Sequence, residues 1–200
     1  MRRARKMANR KPRTVLFRRK REQKTDYQSR LKLLFSKQLR VVVRFTNSRV
    51  IGQIIEFQNK GYKVLVGVDS TALKEMGWGY SQKNFPASYL TGLLLGKAAK
   101  AKGIKQAIFD AGSISPLKKS KVYAFLKGVV DSGLTVPHEQ KEIFPAEDHL
   151  SGKHIATYAQ SLKGKKEYEQ RFGQYVKSNS APEKMSEVFT QVKHKILGSK

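Results

Sequence analysis

Asp69 and Asp110 are the residues of this chain best placed for bond-breaking chemistry. Each ends a β-rich segment, a position from which carboxylates can hold magnesium for phosphodiester cleavage. That chemistry needs several carboxylates converging on the metal ions, and only Glu56, in mid-strand, could join them. The expectation is therefore that Asp69 and Asp110 cap turns or pair with nearby cations. The run from Gly92 to Gly96 and Lys97 imitates a phosphate loop, but it is one residue short. Ala98 also stands where a serine or threonine should bind magnesium. His138, His149, His154 and His194 form no i,i+4 pair on a well-defined helix, and the chain has no cysteine. No catalytic residue, metal site or cofactor is expected.

The abundant chemistry is cationic. The 200 residues hold 41 Lys and Arg against 15 Asp and Glu, a net charge of +26. Self-repulsion of that size gives a free globular protein nothing, so a polyanionic partner is the first hypothesis. Residues 1–40 carry 16 of the cations and two acids. Residues 1–20 combine this density with few apolar groups and read as an arm that orders on its partner, with Arg13, Arg18, Arg19 and Lys20 in it and Arg21 directly after it. Further along, Lys24 and Arg30 accompany Tyr27, and Arg44, Asn47 and Arg49 bracket a turn. Lys118, Lys119 and Lys121 gather where a helix begins, a place that already favours phosphate, and Tyr123 and Lys127 extend that surface. No recognition helix, zinc finger or zipper for duplex DNA is visible, whereas an arm, a sheet face and loops suit irregular folded RNA.

The elements that must position these groups follow from periodicity. A helix is expected over 22–36, with Tyr27, Leu31, Leu34 and Phe35 on one face. The period then changes to two, giving strands over 39–45, 49–57 and 63–68 as an antiparallel meander. In the first strand Val41, Val43 and Phe45 face one way and Arg40, Val42 and Arg44 the other. Pro86 opens a helix that Gly103 closes, with Gly92 and Gly96 expected to let its backbone approach the sheet. A buried strand over 104–110 and a helix capped by Ser120 and ended by Gly133 follow. The fold class is α/β, a mixed sheet combining the meander with strand-helix units. The division expected is a basic N-terminal arm (1–20), an α/β core with its N-terminal helix (21–137) and a loop with a helical C-terminal extension (138–200). In that extension Met185, Val188, Phe189, Val192 and Ile196 form a docking stripe. The longest apolar runs, around 41–43 and 93–95, are too short to span a membrane, and no apolar segment follows the basic start as an export signal requires.

Several segments in order resemble large-subunit ribosomal protein eighteen of the archaeal type. They are 17–27 (FRRKREQKTDY), 30–34 (RLKLL), 40–44 (RVVVR), 46–49 (TNSR), 87–97 (ASYLTGLLLGK), 121–128 (KVYAFLKG) and 152–155 (GKHI). The resemblance implies a non-catalytic protein of the cytoplasmic ribosome that binds 5S rRNA and attaches it to the large subunit in the central protuberance. It also implies a ribonuclease H-like core, and as partners 23S rRNA, the second 5S-binding ribosomal protein and other central-protuberance proteins. The family's RNA contacts carry over to Arg18, Arg19, Arg21, Lys24, Tyr27, Arg30, Arg44, Asn47 and Arg49. Lys118 departs from the small or polar residue of the family's loop, and the match is poor beyond His154. A non-specific RNA chaperone or packaging protein is the alternative, with a metal-dependent nuclease behind it.

Overall fold

The computed structural model describes residues 15–112, 115–139 and 141–198. Two short helices, α1 (Arg18–Arg21) and α2 (Tyr27–Phe35), precede the sheet. The single helix expected over 22–36 is thus broken. Asp26 starts a new helix because its carboxylate accepts the N–H groups of Gln28 (2.9 Å) and Ser29 (3.2 Å) and the Ser29 hydroxyl (2.6 Å). Nor does the apolar face of α2 enter a core: Leu31 is 55% exposed and Phe35 75%.

β1 (Arg40–Phe45), β2 (Val50–Gln58) and β3 (Gly61–Asp69) form the antiparallel meander. Thr46 fixes the first turn: its N–H and hydroxyl donate to the Arg49 carbonyl, and its oxygen accepts the Arg49 N–H. After α3 (Ala72–Glu75) and α4 (Phe85–Ala101), β4 (Ile108–Asp110) joins β1 in parallel, giving a mixed sheet in the order β3-β2-β1-β4. The strand expected over 104–110 is shorter than its sequence signal; upstream, Gln106 makes a single parallel bridge to Thr135.

β3 contains a bulge at Leu65. Ile54 pairs with Val66 and Ile55 with Val64, so one residue of β3 is extra. Simple alternation would put Tyr62, Val64 and Val66 on one face. The bulge leaves Val66 in the core at 5% exposure and turns Val64 out at 49%. The ammonium of Lys102, just past α4, donates to the carbonyl of Leu65.

α4 and α5 (Lys121–Asp131) cover the inner face of the sheet. Asn84 caps α4 by accepting the Ala87 N–H at 2.9 Å, with Pro86 in its first turn. Ser120 precedes α5 as expected, but its hydroxyl makes no cap hydrogen bond. Gly92 and Gly96 face α5 and not the sheet: a Cβ on Gly92 would lie 2.1 Å from the Phe125 carbonyl oxygen, and one on Gly128 equally close to that of Tyr89. The reason is the near-contact of the two helix backbones, which only missing side chains permit.

Val41, Val43, Val50, Ile54 and Phe125 anchor the core between sheet and helices. A second cluster lies on the other side of α4, where Trp78, Leu90, Met185, Phe189, Val192 and Ile196 meet. It docks α9 (Met185–Gly198), whose stripe packs on the chain's own core as expected. Between α5 and α9 stand α6 (Glu147–Ser151), α7 (Lys153–Leu162) and α8 (Lys166–Lys177). The sequence predicts only a loop where α6 forms. Among the described residues no helix is long and apolar enough to cross a membrane.

Candidate nucleic-acid interface

While α4 and α5 cover the inner face of the sheet, α2 stands over the outer one. Between them lies an open groove of ≈ 960 Å³. Arg19, Lys24, Arg30 and Arg44, four of the residues expected to touch RNA, line it together with Lys32 and Arg40. Against these six cations the groove sets two acids, Asp26 and Asp110. Such an excess in one concavity favours a polyanion.

The cap at Asp26 holds the groove's roof. The Ser29 hydroxyl, then the backbone N–H groups of Ser29 and Gln28, hold the Asp26 carboxyl below its ordinary value of 3.8. A depressed value means that this stabilisation is present above the ordinary value and is lost as pH falls through the folded one. Asp26→Ala should therefore fray the first turn of α2 at neutral pH, seen as faster amide exchange at Gln28 and Ser29. Asp26→Ser should largely preserve protection.

Sequence reasoning misses Arg40, as it misses Tyr62. Strand alternation puts Arg40 on the outer face with no further role, yet its side chain is only 4% exposed and donates from Nη1 to Asp110 Oδ2 at 2.8 Å. Its guanidinium lies 4.6 Å from the centre of the Tyr62 ring, which Arg30 approaches to 4.8 Å. An arginine embedded among valines was the available signal, because a charge there requires a partner. Arg40→Met should cost about 3–5 kcal/mol, since it leaves the part-buried Asp110 carboxylate without its counter-charge. The Arg40→Met, Asp110→Leu double variant should recover most of that in a denaturant titration.

Asp110 also accepts the Gly112 N–H at 2.8 Å. Asp69 accepts the Thr71 N–H at 3.0 Å and pairs with Arg49, also at 3.0 Å. Both carboxylates thus cap turns and pair with cations. They occupy opposite edge strands, three spacings apart, or roughly 14 Å. Two-metal chemistry needs about 3.5–4 Å between metals.

The remaining candidates fall in different places. Arg18 and Arg21 are exposed on α1, and Lys20 borders a second hollow with Ser29, Gly112 and Pro116. Arg13 lies outside the described residues. The Tyr27 ring rests 6.0 Å from that of Phe17. Asn47 is exposed in the β1–β2 turn, beside Arg49. Lys118 and Lys119 are exposed before α5, while Lys121 leans toward the Phe85 ring at 5.9 Å. Tyr123 packs on the inner core and Lys127 pairs with Asp131 at 2.8 Å, so neither joins the groove.

Fold and face together define an α/β protein with a strongly cationic groove on the open surface of its sheet. A family model described as "Ribosomal large subunit proteins 60S L5, and 50S L18" matches residues 12–107. The chain is also 45% identical over 182 residues to the large ribosomal subunit protein uL18 of Korarchaeum cryptofilum (strain OPF8), covering 91% of this chain and 93% of that one. The chain belongs to the uL18 family of large-subunit ribosomal proteins. It is a structural constituent of the large subunit, with ribosomal RNA and ribosomal proteins as partners.

Proposed function

We propose that this protein binds 5S rRNA and fastens it to 23S rRNA in the central protuberance, beside the second 5S-binding ribosomal protein. The observation that carries the reading is the gathering of six cations from the α1–α2 segment and β1 around one open groove, in a chain of the uL18 family. Phosphate contacts position such a protein, and groups at the sheet face discriminate among RNAs. In this reading residues 1–20 are a basic arm, its last residues entering α1, that adds phosphate contacts, 21–137 a ribonuclease H-like scaffold and 138–200 a helical extension that completes the core beneath α4. The mechanism is assembly, and the carboxylates of the scaffold serve as ion-pair partners instead of metal ligands.

Arg44 and Arg49 flank the turn that holds Asn47, and in this reading Asn47 makes base or sugar contacts. Replacing both arginines with alanine should reduce the preference for 5S rRNA over a transfer RNA about tenfold, roughly the value of one good polar contact set. Equal loss on both RNAs in a competition assay would reduce these arginines to counterions.

A further inference from the structure

The guanidinium of Arg40 is incompletely used. Nη1 is committed to Asp110, but among the described residues Nη2 is buried without any hydrogen-bond partner. A buried charged donor left unpaired is costly, and such a group calls for an acceptor. The same side chain lines the groove under α2.

The floor beside it is apolar. Val42 and Ile55 lie there, with Val64 half exposed and the Tyr62 ring next to Arg40. The bulge at Leu65 keeps Tyr62 and Val64 on this face, against the alternation of β3. A duplex offers phosphates to such a surface but no base face. The groove's ≈ 960 Å³ also exceeds what a lone phosphate occupies and falls within the roughly 300–1,000 Å³ of sites that hold organic ligands.

We infer that the groove between α2 and the sheet receives an unpaired, splayed-out nucleotide of the bound RNA. Its base lies on the floor formed by Val42, Ile55, Tyr62 and Val64 and presents an acceptor to Arg40 Nη2. Its phosphate meets the rim cations Arg30 and Arg44. This rests on the RNA-binding reading above and deepens it: the rim gives affinity for any RNA, and the floor selects RNA with an unstacked base.

The test uses the full chain with a 5S rRNA transcript and with a fully paired RNA duplex. Tyr62→Leu removes the ring from an exposed hairpin position, and Arg40→Lys keeps the charge beside Asp110 while losing the second planar donor. Each variant should bind the 5S transcript about tenfold more weakly, leave duplex affinity unchanged and keep the slope of log affinity against log salt. Ultraviolet irradiation of the wild-type complex should attach a nucleotide to Tyr62. If wild type binds the transcript but Tyr62→Leu weakens neither RNA, or weakens both equally, the groove is not a nucleotide site, although RNA binding stands. If wild type shows no binding to the transcript, the RNA reading falls and the nucleotide site with it. Melting curves read alongside guard against misfolding; should Arg40→Lys fail to fold, Tyr62→Leu decides alone.

Discussion

Gly128→Val is expected to yield little or no folded protein. Even the first atom of the new side chain would sit 2.1 Å from the carbonyl oxygen of Tyr89 and 2.8 Å from the Leu93 nitrogen. These atoms are helix backbone and cannot rotate away, so α4 and α5 must move apart by more than an ångström. Together they close the inner core over Val41, Val43 and Ile54, and α4 also carries the second cluster that docks α9. Overpacking of this kind costs about 3 kcal/mol or more, against a typical total of roughly 5–15 kcal/mol. Thermal melting and soluble yield are the readouts. Gly173, whose added Cβ would meet nothing within 4 Å, is the control: Gly173→Ala on α8 should be neutral or slightly stabilising.

Replacing Arg18, Arg19 and Arg21 together with alanine has the largest effect expected on binding without loss of fold. All three are exposed on α1, where no residue is buried. Their local partners are modest: Arg18 reaches Glu22 at 3.7 Å and Arg19 donates to Thr25 at 2.8 Å. Each phosphate contact contributes roughly 0.7–0.9 to the slope of log affinity against log salt, so the triple variant should lower that slope by about 2–3. Near about 0.15 M salt the affinity should fall on the order of 100-fold. An unchanged slope in a filter-binding or fluorescence titration would remove α1 from the interface.

The elements that sequence rendered clearly are those whose signals are local. The valines of β1 and the short breaks between the strands, the first at Asn47, outline the meander, and the stripe from Met185 to Ile196 marks α9 as a docked helix. What sequence hid depends on atoms far apart in the chain. Gly92 and Gly96 announce a close approach, but the sheet that sequence order suggests as the partner is the wrong one; the partner is α5, thirty or so residues later. Helical periodicity ran through Asp26 because Tyr27 and Leu31 continue it, although the carboxylate caps a new helix there. The candidate site divides in the same way. Basic density singles out Lys24, Arg30 and Arg44, and a groove unites these three cations with Arg19. Arg40 escaped notice because Asp110, its partner, stands seventy positions away. Tyr62 escaped because the bulge that turns it outward is a property of pairing with β2, absent from the order of residues in β3.

The central claim is that the cationic face selects 5S rRNA and does not merely attract polyanions. The most direct test is titration of the full chain against 5S rRNA and, separately, a transfer RNA across a range of salt, with and without magnesium, checking each RNA for cuts. The account predicts a preference for 5S rRNA that persists at high salt, with both RNAs intact. Equal and steeply salt-sensitive binding to the two RNAs would contradict it and leave a cationic packaging protein, and magnesium-dependent cleavage would contradict it in favour of an enzyme.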